Sequence, residues 1–390
     1  MPMRNAPYAL LAVVLVSGVL SGPARAQGSR APRGDLGLSY LLLVNTAIAS
    51  RMDDGKLRQF DRSPYDGLAV AFLHAYDTGP VPSPEDMAGS MRAWRGSTEK
   101  HIWPWVYVNR MIGFAAAEHN EHSDAPYFRA IAGADLDGRS GARSDFLLLW
   151  RNALSAARQA GSPGVVCDLE FYNDHRLYDI ASLAGSTGKK PSQAAKSLED
   201  LGAEMARIVE ETYPDAFLWF LFTGFTHPGY KTYDGTPYYP SPTYVAIGLL
   251  DEISRRRVPA RVLTGGEGSL AYCHENLAAL GQAIEKRRAD SEPALAKYAG
   301  VLEMAGTLTL WSEQSAKRGW VSEGACGTAA AASVEELRPY LELLLRSYRY
   351  NWIYASGDGN YLAFSPESAP RFDRVIAQAR SDAGRPRSRP

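Results

Sequence analysis

The chain has 390 residues, with 42 Lys and Arg against 43 Asp and Glu and a formal net charge of −1. That balance, with no basic stripe, argues against nucleic acid or an anionic membrane surface as partner. The length suits one large domain, longer than the ~250 residues of a bare eight-fold βα barrel by enough for long loops.

Residues 1–26 have the form of an export signal. Arg4 supplies a weak positive start, Ala9 to Leu20 is an apolar run too short to span a bilayer, and Ala24-Arg25-Ala26 gives a small-x-small cleavage site. The mature chain is expected to begin near Gln27, in the periplasm or outside the cell, as a monomer with no membrane contact after cleavage. An N-terminal membrane anchor is the alternative. No cysteine follows the apolar run, which argues against lipoprotein processing.

Eight short apolar runs then recur with helix-like stretches between them: Ser39–Asn45, Gly67–Phe72, Trp103–Asn109, Gly164–Glu170, Phe217–Phe222, Arg261–Gly265, Gly306–Trp311 and Asn351–Ser356. Strands alternating with helices indicate βαβ units and a parallel sheet. Eight units predict closure into a (β/α)8 TIM barrel over residues 27–383. No G-x-G-x-x-G follows the first strand, which weakens a dinucleotide-binding sheet. Helices are predicted over Pro84–Trp94, Asp145–Gln159, Gln193–Glu211, Asn276–Arg287, Val334–Tyr348 and Pro366–Arg380, and the tail 384–390 is expected to be disordered. Long connections, Asn109 to Ser144 and Thr223 to Tyr239, are placed to build a cleft.

The segment Gly164-Val165-Val166-Cys167-Asp168-Leu169-Glu170 is a buried strand ending in two acids. Alternation puts Asp168 and Glu170 on one side, about 7 Å apart along the backbone. Acids at the end of an apolar strand carry a desolvation cost that function can justify, and the carboxyl ends of barrel strands are where such folds place chemistry. Glu267, between Gly266 and Gly268, follows the sixth strand and could face Glu170 across the mouth. Other strand ends offer polar groups and rings: Asn45, Trp103, Trp105, Tyr107, Asn109, Tyr172, Tyr272, Trp311, Glu313, Trp352 and Asp358. Rings to stack on sugar faces, groups to bind hydroxyls and paired acids suit a carbohydrate cleft. Glycoside hydrolysis needs one acid to protonate the leaving oxygen and a second carboxylate as nucleophile or base. Glu170 is the expected acid, Asp168 its modulator or, with Glu267 as acid, the nucleophile, and Glu267 the opposing carboxylate. A glycan-binding barrel without catalysis and a metal-dependent hydrolase are the alternatives. The aromatic residues could equally fill the barrel.

Cys167 should be a buried free thiol, while Cys273 and Cys326 fall in loops and could form a disulfide in an oxidising compartment. His119-x-x-His122 lies in a polar loop and is expected to be solvated. No zinc spacing, no H-x-H after the first strand and no G-x-S-x-G occurs, and neither metal nor organic cofactor is implied.

The Asp168-Leu169-Glu170 segment resembles the D-x-E end of the family 18 glycoside hydrolase signature, with Pro163 and Val166 where that family has further acids. More broadly, Pro64-Tyr65-Asp66-Gly67, Asp168-Leu169-Glu170 and Asn351-Trp352-Ile353-Tyr354 make the chain similar to exported bacterial barrel glycoside hydrolases. The family 18 resemblance implies Glu170 as acid and Asp168 as the residue that steadies the substrate's N-acetyl group, itself the nucleophile. A two-carboxylate mechanism with Glu267 stays open.

Overall fold

The computed structural model describes residues 36, 39–73, 79–108, 118–119, 126–127, 135–139, 141–170, 175–223, 230–231, 237–270, 274, 276–309, 335–354, 364 and 369–384. The apolar runs become strands: β1 (Tyr40–Ile48), β2 (Gly67–Ala71), β3 (His101–Tyr107), β4 (Glu118–His119), β5 (Pro126–Tyr127), β6 (Gly164–Asp168), β7 (Phe217–Phe220), β8 (Tyr230–Lys231), β9 (Pro237–Tyr238), β10 (Arg261–Thr264), β11 (Leu302–Thr309) and β12 (Tyr350–Tyr354). Eight of them, β1, β2, β3, β6, β7, β10, β11 and β12, close a parallel barrel in which sequential strands are neighbours and β12 returns to β1. The (β/α)8 expectation holds. Two antiparallel ladders, β4 with β5 and β8 with β9, lie in the two long connections.

The helices are α1 (Asp54–Arg62), α2 (Pro84–Trp94), α3 (Ala142–Ala160), α4 (Ile180–Ser186), α5 (Pro191–Thr212), α6 (Ser241–Arg256), α7 (Glu267–Leu270), α8 (Leu277–Lys297), α9 (Leu337–Ser347) and α10 (Ala369–Asp382). Their starts are chemically marked. Asp53 accepts the Lys56 N–H to cap α1, and Ser83 caps α2 ahead of Pro84. The sequence patterns did not reveal α1, α4, α6 or α7. The first turn of α6, Ser241-Pro242-Thr243-Tyr244-Val245, holds poor helix formers, and all five are buried there, so packing overrides propensity. The helix expected to stop at Arg287 runs to Lys297 through Pro293.

Strand alternation divides the apolar residues into two cores. Leu41, Leu43, Val70, Val106, Val165, Cys167 and Ile353 point outward and pack under the helices. Tyr40, Leu42, Ala69, Trp103, Trp105, Val166, Trp219, Leu263, Tyr350 and Trp352 point inward and fill the barrel. Cys167 is buried and free, as the period of two requires. At the amino-terminal end the interior is plugged by rings. Trp103 and Trp219 meet edge to face at 5.9 Å, and Tyr40 lies 5.9 Å from Trp103 and 6.2 Å from Trp219. The Trp103 indole N–H donates to the Tyr40 hydroxyl at 2.8 Å, and that hydroxyl lies 3.0 Å from His101 Nδ1. Gly67 is required beside them: a Cβ there would sit 2.2 Å from the Tyr40 oxygen.

The seam between chain ends is closed by a buried ion pair. Arg380 of α10 donates to Asp66 Oδ2 at 2.9 Å and to the Pro64 and Ser39 carbonyls, while Asp66 also accepts the Leu41 N–H at 2.8 Å. Two of the segments behind the family resemblance therefore serve architecture: Pro64–Gly67 anchors α10, and Asn351–Tyr354 lies within β12. Residues 1–26 and 385–390 lie outside the described residues. Among the described residues no helix is long and apolar enough to cross a membrane.

Two outcomes follow. Removing one partner of a buried pair leaves an uncompensated charge, so Arg380→Met should destabilise by about 3–5 kcal/mol, with much of the loss recovered when Asp66→Asn is added. Urea unfolding of both variants checks this; equal losses would refute it. Burial and, next, the Arg95 charge lower the His101 pKa from its ordinary 6.5 to about 4. The unfolded chain then binds a proton between pH 6.5 and 4 that the folded chain refuses, so stability should fall as pH drops through that window. Replacing His101 by Gln should flatten the fall by up to about 3 kcal/mol.

Candidate active site

β6 carries Val165 and Cys167 outward and Val166 and Asp168 inward. Asp168 is the last residue of the strand, in register with Tyr107 at the end of β3. Its side chain is fully buried. Asp168 Oδ1 accepts the backbone N–H of Glu170 at 2.9 Å, so the first acid fixes the backbone that presents the second. Glu170 receives the hydroxyl of Tyr178, which stands on a short 3-10 turn, His175–Tyr178. The Tyr178 ring lies edge-on to Phe222 at 5.6 Å. Burial, and after it the charge of Glu170, drives the Tyr178 phenol above its ordinary range, so it is a hydrogen-bond donor at any working pH.

Glu267 reaches the same place from two strands away. β10 ends at Thr264, and the chain turns through Gly265 and Gly266 into α7, whose first residue is Glu267. This turn is held from beneath. Trp352 donates its indole N–H to the Gly265 carbonyl at 3.0 Å, and the Gly265 N–H donates to the Phe220 carbonyl at 2.6 Å. Arg287, fully buried, donates to the carbonyls of Thr264 (2.7 Å) and Ala305 (2.6 Å) and lies over the Tyr348 ring. Gly266 has φ of 81°, and a Cβ there would sit 2.3 Å from the Arg287 guanidinium, so only glycine fits. Thr223 and Thr264, at neighbouring strand ends, share a hydrogen bond of 2.7 Å.

The result is a cluster of Asp168, Glu170 and Glu267 at the carboxyl-terminal mouth, with one carboxylate oxygen from each within 4.8 Å of the others. Glu267 Oε2 is buried with no hydrogen-bond partner among the described residues. Burial first, then the charges of Glu170 and Asp168, hold the Glu267 carboxyl well above the usual carboxylate range. The arrangement thus sets a carboxyl whose pKa is raised beside a second one that a phenol hydrogen-bonds, which suits acid–base work. Three hard oxygens this close could also hold a divalent cation.

The aromatic candidates fare differently. Trp103 is wholly buried in the floor plug, and Trp352 is wholly buried beneath the Gly265 turn. Both are corrected from sugar-stacking surfaces to packing residues, because inward positions of a narrow barrel must be filled. Trp105 and Tyr107 lie above Trp103 along β3, their rings 4.6 Å apart, and are 3% and 4% exposed. Asn45 lies on β1, its side chain outside the described residues. Asn109, His122, Tyr172, Tyr272, Cys273, Trp311, Glu313, Cys326 and Asp358 fall outside them altogether, as does the proposed disulfide; His119 lies on β4, its side chain not described. Tyr178 and Arg287 escaped sequence reasoning. Tyr178 follows the end of β6 by ten residues, and Arg287 looked like the last polar residue of a helix.

No protein-family model and no curated protein matches the chain. Several solved structures align with it at a distance. An endo-beta-mannanase/endo-beta-glucanase from Prevotella bryantii aligns over 88% of this chain and 49% of its own length, at 10% identity and a TM-score of 0.49. Endo-glycoceramidase II from Rhodococcus sp. aligns over 86% of this chain and 79% of its own, at 12% identity and 0.47. A 3-keto-D-glucoside 4-epimerase from E. coli aligns over 88% and 99%, at 10% identity and 0.40. Likenesses this distant decide nothing about chemistry.

A carboxyl with a raised pKa binds a proton in the folded chain that the unfolded chain releases above its ordinary value of 4.5. Stability should therefore decline as pH rises above 4.5, and Glu267→Gln should remove that part of the decline. Urea midpoints at pH 5, 7 and 9 test this; parallel curves for wild type and variant would contradict the assignment.

Proposed function

We propose that the protein hydrolyses glycosidic bonds, with Glu267 as proton donor and Glu170 as nucleophile. The observation that carries this reading is the spacing of the acids, with carboxylate oxygens within 4.8 Å of one another at the carboxyl-terminal mouth of the barrel. Carboxyl groups about 5 Å apart leave no room for an intervening water and suit the retaining route. Glu267 keeps its proton through burial and two like charges, and Tyr178 holds Glu170. This exchanges the roles expected from sequence, where Glu170 was the acid.

In the first step Glu267 gives its proton to the leaving oxygen as the glycosidic C–O bond breaks, and Glu170 bonds to the anomeric carbon. Glu267, now ionised, then takes a proton from water, whose oxygen displaces Glu170. Asp168 acts through its neighbours: it fixes the Glu170 backbone, and its charge raises the Glu267 pKa. The export signal of residues 1–26 would place this activity in the periplasm or outside the cell, which cell fractionation of the full chain tests. A metal-dependent hydrolysis at the same three oxygens is the second reading. Loss of all activity on chelation, restored by a divalent cation, would favour it.

Glu267→Gln should lower turnover of an unactivated glycan by roughly 10²–10⁴ while sparing substrates with a good leaving group, since these need little protonation. Glu170→Gln should abolish both. The reverse pattern would exchange the two roles, and wild-type rates in both variants would remove the site from the reaction. Asp168→Asn lowers the Glu267 pKa, so the basic limb of the pH–rate profile should move to lower pH.

A further inference from the structure

Tyr239 follows β9 and precedes α6, on the face of the barrel that carries the acids. It is 41% exposed, one of the few large apolar side chains so placed among the described residues. The ring is nevertheless held. Tyr244 meets it edge to face at 6.1 Å, and the Tyr244 hydroxyl accepts the Tyr239 N–H at 3.4 Å. Pro240 and Pro242 follow, each with a fixed φ, and bracket the buried Ser241. The Ser241 hydroxyl donates to the Tyr178 carbonyl at 3.3 Å, and the Tyr178 hydroxyl donates to Glu170. A run of contacts thus leads from the exposed ring to the candidate nucleophile, and the two residues from Tyr239 to Ser241 span at most about 7 Å.

We infer that Tyr239 is a sugar-stacking platform at the rim of the site, and that the substrate is a chain of several sugars rather than a single glycoside. The inference rests on the glycosidase reading and extends it. A rigid ring with an apolar face and a polar tip loses little conformational freedom when a pyranose lies against it. Tyr244 fixes the ring while it stays 41% exposed. The acids occupy the mouth, so a ring on the rim addresses a sugar unit other than those joined by the bond being cleaved.

The test uses the full chain and four soluble hexasaccharides: cello-, xylo-, manno- and chitohexaose. Binding is measured by calorimetry and cleavage by product analysis, for wild type, Tyr239→Ala and Tyr239→Phe, with the disaccharides of the same series as controls. Tyr239→Ala should weaken binding of the recognised hexasaccharide by about five- to tenfold and leave the disaccharide unaffected, with Tyr239→Phe near wild type. Where products form, the loss should appear in KM and not in kcat. Tyr239-dependent binding without hydrolysis would sink the glycosidase reading alone. Hydrolysis with hexasaccharide affinity unchanged in Tyr239→Ala would overturn the inference about Tyr239 alone. No binding of any glycan by wild type would overturn both.

Discussion

Eight parallel strands closed on themselves enclose a volume that only side chains can fill, and here the lower part is filled with rings. Tyr40, Trp103, Trp219 and Tyr350 interlock across the floor. Gly67 is the residue that makes room for them. Polar groups at the level of this tightly packed plug are bonded or stacked into it, His101 on the Tyr40 hydroxyl and Arg261 over the Phe217 and Tyr350 rings, and the acid cluster stands above it. Asp168 is the first inward acid on β6 above Val166, and it takes its place where the strand meets the mouth. The plug thus sets the depth of the chemistry.

The acids themselves would repel one another in an open loop and drift apart. They stay together because each is held by its backbone. Asp168 receives the Glu170 N–H, and the turn before Glu267 is tied down by Trp352, by Phe220 and by a buried arginine that satisfies the carbonyls of Thr264 at the end of β10 and of Ala305 within β11. Arg287 is an expensive group to bury. Its two carbonyl bonds and the Tyr348 ring offset part of that cost, and the missing Cβ of Gly266 leaves its guanidinium room. Burial and the charges of Glu170 and Asp168 push the Glu267 pKa up, the direction that the proposed general acid needs. Stability and proposed chemistry therefore pull in opposite directions at this one residue, as is common where a site stores strain.

The barrel's two ends divide labour. At the amino-terminal end, Asp66 and Arg380 fasten the last helix to the first strands. At the carboxyl-terminal end, short turns and longer loops carry the acids and the exposed ring of Tyr239. A segment such as Pro64–Gly67 looks functional in a sequence because it is dense in special residues, but its density reflects a chain seam. The Asp168–Glu170 segment has the same local look and stands at the opposite end.

What the sequence determined by itself was periodic. Eight apolar runs of period two, separated by stretches of period 3.6, specified strand number, inward and outward faces, and the buried thiol of Cys167, because alternation is a property of the local backbone. The D-x-E at a strand end was legible for the same reason. Only tertiary structure decided the rest. That Glu267 approaches Asp168 and Glu170 depends on barrel closure, which no local pattern encodes. That Trp103 and Trp352 are packing residues and not sugar surfaces depends on depth along the barrel axis, since a buried ring and a cleft ring share one period. That Tyr178 holds Glu170 depends on a turn whose residues carry no repeat at all. α6 was hidden because burial of its first turn, not helix propensity, makes Ser241 to Val245 helical. Patterns along the chain report faces; distances between faces come only from packing.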